Sequence, residues 1–254
     1  TRSKGRICFV ALHAYGVISG RVPDGHVGGA EVQQKNVARE LVRRGYEVSF
    51  VTLDHGQPEG EVCNGIRIHK AYDPRAGRRV LRFFHPRWTG LRRALARADA
   101  DVYYQRGAGQ ETGQVAQWCR RHRRSFIYAS ASDLNCDPRL PDLTNPADRV
   151  LFRYGLRRAT RVISQTHDQV KNFARHFGVD TVLIRSCCED PCPPDFVPPA
   201  EAPTPFRVLW IGRINRFKRP EWVLDLAQAC PELMFDMVGA SREEEQAYVA
   251  SLAG

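Results

Sequence analysis

Short, continuous apolar runs alternate with helical apolar stripes along residues 1–186. Such runs are typical of parallel strands that are buried on both faces. The stripes repeat about every 3.6 residues, and Val32, Val37 and Leu41 mark the first long helix. The runs predict strands at Ile7–Leu12, Glu47–Leu53, Gly65–His69, Asp101–Gln105, Phe126–Ala129, Arg161–Ser164 and Thr181–Ile184. Because strands and helices alternate, we predict a doubly wound α/β domain with a parallel sheet.

Two of the predicted helices carry more detailed local signals. The spacing of apolar residues predicts a helix over Pro86–Ala98, with one stripe formed by Phe84, Trp88, Leu91 and Leu95. Thr166 and Gln169 have the spacing of a capping box at the start of a helix that runs through Phe177.

A proline-rich stretch separates this domain from a shorter second one. Residues 187–205 contain seven prolines and little periodicity, so they are predicted to form an interdomain linker. The alternation then resumes over residues 206–254, with strands at Val208–Ile211 and Met234–Val238. About fifty residues cannot form a covered parallel sheet. We therefore expect the incomplete start of a second Rossmann-like domain in a truncated chain, and the missing initial Met suggests a trimmed amino end.

The composition is that of an ordinary globular protein. The chain is 43% apolar and 26% charged. It has no apolar run of about 18 residues and no signal-peptide pattern, which predicts a cytoplasmic protein. The eight cysteines are expected to be reduced, and Cys187, Cys188 and Cys192 lack the paired C-x-x-C spacing of a zinc site. The net charge of +10 is carried mainly by arginine, which favours anionic partners, although Arg-rich codon usage explains the same excess.

A basic loop follows the first strand of the second domain. Val208–Ile211 is predicted to be a strand buried on both faces, and Pro220 suits the first turn of the next helix. The loop between them carries four cations, namely Arg213, Arg216, Lys218 and Arg219. In open α/β sheets ligands bind beyond the carboxyl ends of strands. The loop is therefore either a diphosphate site or a solvated basic turn.

These features together resemble the retaining glycosyltransferases of family 4. The resemblance rests on Gly28-Gly29-Ala30-Glu31 at the start of the first long helix, on Gly212-Arg213 followed by Lys218-Arg219-Pro220-Glu221, and on the strand that ends at Gly239. It covers nearly the whole chain. It implies the GT-B architecture of two facing Rossmann-like domains, and transfer of a sugar from a nucleotide-sugar donor with retention of configuration.

The resemblance assigns donor-binding roles to five residues. In such enzymes the nucleotide-sugar lies in the cleft, mostly on the second domain. Arg213 and Lys218 match the pair that binds the donor diphosphate, a role that needs no divalent metal, so no cofactor is expected. Gly28 and Gly29 match the loop whose backbone amides approach the donor phosphate and the acceptor. Gly239 matches a glycine near the base or ribose, and a simple turn explains it equally well.

The chain departs from the family pattern in two places. Many members have a His after the strand corresponding to Phe126–Ala129, where this chain has Ser130-Ala131-Ser132-Asp133. Ser132 and Asp133 are therefore the candidate catalytic residues, Asp133 as a base or merely as a helix cap. The family's two glutamates, eight positions apart in the second domain, match nothing in residues 1–254. We therefore expect this chain to be catalytically inactive by itself.

Other residues are candidates for binding the acceptor. His13, Tyr15 and His26 flank the Gly-rich loop, and Arg106 ends a strand where it could bind an acidic acceptor. Simple exposure to water explains each of them equally well. A basic and aromatic segment around Phe83, Phe84 and Trp88 predicts either adsorption to an anionic membrane or an ordinary helix with a buried face. Its arginines are Arg78, Arg79, Arg82, Arg87, Arg92, Arg93 and Arg97.

Three functions remain open from the sequence. The first is a glycosyltransferase whose partners are a nucleotide-sugar donor and a saccharide or lipid-linked acceptor. The second is a non-catalytic GT-B-like module that binds a nucleotide-sugar or a partner. Nucleic-acid binding is disfavoured, because the basic run at residues 120–124 suits a helix end and lacks interleaved aromatic residues.

Overall fold

The computed structural model describes residues 4–21, 28–77, 83–190, 192, 195–197, 200, 204–241 and 245–252. The chain forms two compact units, Thr1–Glu189 and Asp190–Gly254. Within the described residues, the first unit contains a sheet of eight strands and the second a sheet of two.

The eight-stranded sheet forms the centre of the first unit. Its strands are β1 (Arg6–Val10), β2 (Glu47–Thr52), β3 (Val62–Cys63), β4 (Ile66–Lys70), β5 (Val102–Arg106), β6 (Ser125–Ala129), β7 (Arg161–Ser164) and β8 (Val182–Leu183). Their order in space is β3-β4-β2-β1-β5-β6-β7-β8, and all neighbours are parallel except β3 and β4. The chain progresses outward in one direction from β1 and in the other from β5. The topological switch point therefore lies between β1 and β5.

Helices cover both faces of this sheet. They are α1 (Tyr15–Ser19), α2 (Gly29–Arg43), α3 (Thr89–Ala98), α4 (Gln110–His122), α5 (Pro146–Arg158) and α6 (His167–Phe177). Successive side chains of β1 enter different cores. Phe9 packs with Phe50 in one core, and Cys8 and Val10 lie in the other with Phe126. Burial on both faces explains the continuous apolar runs, and the predicted doubly wound α/β domain is confirmed.

The predicted helix over Pro86–Ala98 is wrong at its start. An irregular helical segment, Phe83–Trp88, precedes α3, and His85 within it is extended (φ −136°, ψ 123°). A residue before proline is disfavoured from the helical region, so the helix cannot run through this point. Leu91 and Leu95 are buried as the stripe predicts, whereas Phe84 is 64% exposed.

The predicted third strand at Gly65–His69 is part of a hairpin. The structure places a strand at Ile66–Lys70 and pairs it with the antiparallel strand Val62–Cys63, which the sequence analysis missed. Asn64 and Gly65 connect the two with φ values of 52° and 79°. Two residues with positive φ form the turn that matches the twist of paired strands.

The second unit contains β9 (Arg207–Ile211), α7 (Pro220–Ala229), β10 (Met234–Val238) and α8 (Gln246–Ser251). β9 and β10 are parallel, and Pro220 is the first residue of α7 as predicted. The prediction that Val208–Ile211 is buried on both faces is wrong, because Leu209 and Ile211 are 57% and 71% exposed. Their side chains share one face of the strand. The described elements of this unit leave that face open.

Candidate functional site

Polar side chains form a hydrogen-bonded row across the carboxyl ends of the strands in the first unit. Arg106 ends β5, and its Nη2 donates to Ser186 Oγ at 3.4 Å. Ser186 Oγ donates in turn to Gln165 Oε1, and Gln165 Nε2 donates to the carbonyl oxygen of Ser130 at 2.8 Å. We call Arg106, Ser130, Gln165 and Ser186 the carboxyl-edge row. It spans the ends of β5, β6 and β7, beside the switch point.

The row extends to Asp133 through one buried side chain. Gln169 is 3% exposed. Its Oε1 accepts from the backbone N–H of Gln165 at 2.9 Å, and its Nε2 donates to Asp133 Oδ1 at 2.9 Å. The predicted capping box is thus half correct. The backbone N–H of Gln169 donates to Thr166 Oγ1, but the Gln169 side chain bonds to Gln165 and Asp133 instead of the Thr166 backbone. The structure therefore joins the predicted residues Arg106 and Asp133 in one network.

Ser132 shapes the turn that leads to Asp133. It is the N-cap of a short 3-10 helix, Asp133–Cys136, and its carbonyl oxygen accepts from Ser130 Oγ at 3.0 Å. The side chains of Ser132 and Asn135 form reciprocal capping hydrogen bonds with the backbone. Ser132 therefore has a structural role in this turn, and a catalytic role for it stays a prediction.

Arg106 lies at this edge without a carboxylate partner among the described residues. Its side chain is half-buried, and its Nε is buried with no hydrogen-bond partner in that part of the chain. It lies close to Tyr104. Burial raises the pKa of Tyr104, and the Arg106 guanidinium offsets only part of that increase. Arg106 was predicted from the sequence, whereas Gln165, Gln169 and Ser186, which hold it and Asp133, were not. The only sequence feature that could have indicated them is a polar residue shortly after an apolar strand.

The basic loop of the second unit separates its four cations into two kinds. Arg216 lies over the ring of Tyr248, with Cζ 4.9 Å from the centroid. Arg219 lies 4.5 Å over Trp222, and its Nε is 2.6 Å from Glu221 Oε1. Arg213 and Lys218 are exposed, and their side chains contact no partner among the described residues. The two cations that the family resemblance selects are therefore the two without a partner in the described part of this unit.

Hydrogen bonds to the backbone fix this loop. Asn215 is 5% exposed, and both its carbonyl oxygen and its Oδ1 accept from the backbone N–H of Lys218 at 3.1 Å. Ile214 N donates to the carbonyl oxygen of Ala240 at 3.1 Å. The loop that presents Arg213 and Lys218 is thus anchored to the carboxyl end of β10.

Comparison with known proteins identifies the family. The Glycosyl transferase 4-like domain matches residues 28–188. The chain belongs to this family. A search of curated proteins returns no match.

Two solved structures resemble this family member in fold. Glycyrrhiza uralensis UGT73P12, complexed with glycyrrhetinic acid 3-O-monoglucuronide, aligns with a TM-score of 0.50 and 8% identity over 98% of this chain and 66% of that one. A Listeria monocytogenes protein assigned as a UDP-N-acetylglucosamine 2-epimerase aligns with a TM-score of 0.53 and 10% identity over 99% and 67%. The chain thus spans about two thirds of their lengths. The predicted GT-B, Rossmann-like fold is confirmed.

The family's paired glycines lie at the start of α2 in this glycosyl transferase 4-like chain. Gly28 is the N-cap and Gly29 the first helical residue, and no side chain caps the helix. A Cβ at Gly28 would lie 2.1 Å from Glu31 Oε2, a flexible side-chain atom, and one at Gly29 would meet nothing within 4 Å. Packing therefore does not require glycine at position 29. The Glu31 carboxylate lies at this helix start, and donor binding there stays a prediction.

Gly239 has a clear packing role in the second unit. A Cβ at this position would lie 2.0 Å from the carbonyl oxygen of Gly212. Because Gly212 N also donates to the carbonyl oxygen of Val238 at 3.1 Å, the ends of β9 and β10 approach each other closely. The contact explains the glycine without a ligand, so a nucleotide contact at Gly239 stays a prediction.

The other acceptor candidates are engaged within the first unit. Tyr15 lies in α1, is 4% exposed, and donates to Glu61 Oε2 at 3.3 Å. Its ring stacks on His55 at 5.8 Å, and its pKa is raised by burial and by the Glu61 charge. His13 is exposed and has a partner of its own. His26 lies outside the described residues.

Two acidic groups near the carboxyl edge have raised pKa values. Glu111 lies in the first turn of α4, and its carboxylate packs against Gly109, where a Cβ would lie 2.1 Å from Oε1. Burial raises the pKa of Glu111, and the charge of Asp148 raises it further. Burial also raises the pKa of Asp148, in the first turn of α5. Neither residue was predicted from the sequence.

The described ranges contain no candidates for two other kinds of site. No group of three or more His, Cys, Asp or Glu side chains there has an arrangement that could hold a metal ion. None of the described helices is both long and apolar enough to cross a membrane. The basic run at residues 120–124 begins in the last turn of α4, and Arg124 pairs with Asp99 and Asp101.

Proposed function

We propose that this chain is part of a retaining glycosyltransferase that binds the diphosphate of a nucleotide-sugar donor through Arg213 and Lys218. The observation that carries the proposal is the division of the basic loop into held and free cations. Arg216 and Arg219 are occupied by Tyr248, Trp222 and Glu221, which leaves Arg213 and Lys218 for a ligand.

The chemistry of sugar transfer explains why two free cations are useful. When the bond between the anomeric carbon and the phosphate oxygen breaks, negative charge grows on the departing nucleoside diphosphate. Fixed cations stabilise that charge most in the transition state. Arg213 and Lys218 supply two positive charges to it. In this proposal the cations take the place of a divalent metal, and retention of configuration follows from the family resemblance.

The acceptor side of the proposal rests on the first unit. The acceptor is a saccharide or a lipid-linked saccharide, and its hydroxyl forms the new bond to the anomeric carbon while losing its proton. Gln169 orients Asp133 at 2.9 Å, and Asp133 is the carboxylate at the carboxyl edge that we propose as the base for this proton. That residues 1–254 alone release no nucleotide stays a prediction.

Calorimetry with UDP, GDP and ADP tests the donor site. Removing a charge-assisted contact costs about 1.5–3 kcal/mol, so Arg213→Ala and Lys218→Ala should each weaken binding roughly tenfold to a hundredfold. Arg216→Ala is the matched control, because it removes the same charge from the same loop at a cation that already contacts Tyr248. Unchanged affinity in Arg213→Ala and Lys218→Ala, or an equal loss in the control, would refute the assignment.

One exposed aromatic side chain favours peripheral attachment of the protein to the inner face of a membrane. Phe84 is 64% exposed and precedes α3, on which Arg92 and Arg93 lie. An exposed aromatic ring that precedes a helix carrying arginines suits an anionic lipid surface. The buried Leu91 and Leu95 show that α3 itself packs as an ordinary core helix, so the proposed contact involves Phe84 and the arginines.

Vesicle co-sedimentation tests this attachment. Adsorption should require anionic lipid, weaken with salt, and fall when Arg92 and Arg93 are both replaced by Glu. Replacing Arg120 and Arg121 by Glu makes the same charge change at the exposed end of α4 and should leave binding in place. Binding that ignores both salt and the first pair, or no binding to anionic vesicles, overturns the proposal.

A further inference from the structure

Arg106 is a partly buried cation whose charge is not neutralised by any described carboxylate. Its Nη2 donates to the Ser186 hydroxyl at 3.4 Å, its guanidinium also interacts with the neutral Tyr104 side chain, and its Nε is buried without a partner in the described part of the chain. Removing a charge from water costs free energy unless a counter-ion is present. A guanidinium that is held in place but not neutralised is therefore a site for an oxyanion.

The surroundings of Arg106 orient it for this purpose. Ser186 contacts Nη2 and is itself held by Gln165, which is fixed by its bond to the Ser130 carbonyl oxygen at 2.8 Å. A guanidinium has five N–H donors in a planar fork, which matches two oxygens of a carboxylate or phosphate. The carboxyl-edge row uses few of these donors and leaves the rest for a ligand.

We propose that Arg106 binds an anionic group of the acceptor, a carboxylate or a phosphate, and that Gln165 and Ser186 are positioning residues for it. The inference rests on the proposed function and narrows it, because it makes the acceptor acidic. The position of Arg106 at the carboxyl edge, beside the switch point, is where ligands bind in open α/β sheets.

Ligand-observed NMR titrations of the whole chain test this inference. The probes are glucuronate, glucose 1-phosphate and neutral glucose, each measured in an Arg213→Ala, Lys218→Ala background so that phosphate does not report on the basic loop. We expect one or both anionic sugars to bind and glucose not to. Binding of glucuronate alone identifies a carboxylate, and binding of glucose 1-phosphate alone identifies a phosphate. Equal binding of glucose, or no binding of either anion, overturns the inference.

Replacements of Arg106 in the same background locate the anion. Arg106→Gln should weaken anion binding by about tenfold or more, and Arg106→Lys should lose less because it keeps the charge without the fork. Arg157→Gln is the matched control, since it removes one exposed charge from α5. Ser186→Ala should weaken binding a few-fold, and Ser186→Thr should restore it because its hydroxyl remains. Anion binding that is unchanged in Arg106→Gln overturns the inference.

A parallel UDP titration separates this inference from the proposed function. With Arg213 and Lys218 intact, Arg106→Gln should bind UDP as the unsubstituted chain does. If UDP binding depends on the basic loop while anionic sugars ignore Arg106, the donor site stands and the acidic acceptor is wrong. If UDP binding ignores Arg213 and Lys218, the proposed donor site fails whatever the result at Arg106.

Discussion

Arginines at the two edges of the eight-stranded sheet differ in whether a described carboxylate pairs with them. At the amino edge, Arg6 and Arg124 each pair with both Asp99 and Asp101, at distances between 2.6 and 3.4 Å. Asp101 also accepts from the backbone N–H of Arg6 at 2.9 Å. At the carboxyl edge, Arg106 has no described carboxylate partner. Arg6 and Arg124 are thus neutralised by carboxylates, and Arg106 is not neutralised by any described one.

The difference separates a structural role from the proposed binding role in one domain. The amino-edge network connects the start of β1, the turn before β5 and the turn before β6, and it needs nothing further. At the carboxyl edge the helices begin, and their positive dipole ends add to the charge of Arg106. A charged side chain that lacks a partner indicates a ligand site better than a charged side chain in an ion pair does.

The largest effect is expected when the amino-edge network is broken. Replacing both Asp99 and Asp101 by Asn leaves Arg6 and Arg124 without counter-ions. Since these side chains are between 30% and 56% exposed, we expect only a limited fall in Tm, of about 2–8 °C. Thermal unfolding followed by circular dichroism at pH 7 measures it, with the exposed Asp180→Asn as control. A Tm equal to that of the control contradicts a stabilising role for the network.

The same experiment repeated in acid sharpens the comparison. The pKa of Asp101 is lowered, first by the backbone N–H of Arg6. Its contribution to stability is therefore present above the unfolded pKa of about 3.9 and is lost as the pH falls through the folded pKa. The Tm difference of the Asp99→Asn, Asp101→Asn variant should shrink below about pH 4. A difference that stays constant down to pH 2 would show that ionisation of Asp101 is not its cause.

Glu111 should show the opposite pH dependence at the carboxyl edge. Burial raises its pKa above the ordinary value of 4.5, so the folded state holds the proton more tightly and loses stability as the pH rises from that value through the folded pKa. Glu111→Gln should therefore raise Tm at pH 7 by roughly 1–3 °C and have less effect in acid. Gln110→Ala, at the preceding position of α4, is the control. A lower Tm of Glu111→Gln at pH 7 contradicts this.

The smallest effect on stability is expected for Arg106. Because it lacks a described counter-ion, Arg106→Gln removes no ion pair and should change Tm by no more than about 2 °C. Calorimetric unfolding of Arg106→Gln and Arg157→Gln side by side measures it. A fall as large as that of the double aspartate variant would mean that the two edges do not differ, and that Arg106 stabilises the fold itself.

Apolar patterns predicted most of this fold because they report burial directly. The run Arg161–Ser164 matches β7 residue for residue, and Glu47–Leu53 exceeds β2 by one. The five-residue helix Tyr15–Ser19 was missed because so short a segment shows no periodicity. β9 was predicted to be buried because its composition is that of a central strand, whereas its burial depends on which elements cover it.

The site was harder to predict because its contacts join distant parts of the sequence. Arg106 and Ser186 are 80 positions apart, and Gln165 and Ser130 are 35 apart. In the basic loop, the sequence marks four cations but cannot show which are free. That depends on Tyr248, which comes after β10 and occupies Arg216. Local sequence patterns predict where the loop lies, and only tertiary contacts show which of its cations are paired.

The close approach at Gly239 affects how genetic data on this protein should be interpreted. With only 2.0 Å between a Cβ there and the Gly212 oxygen, any side chain must displace the residue immediately before Arg213. A mutational scan would thus score position 239 as intolerant even if it never touches a substrate. Loss of activity on substitution of Gly239 should be attributed to lost donor contact only under one condition. A second-site substitution that restores the conformation of the loop must fail to restore activity.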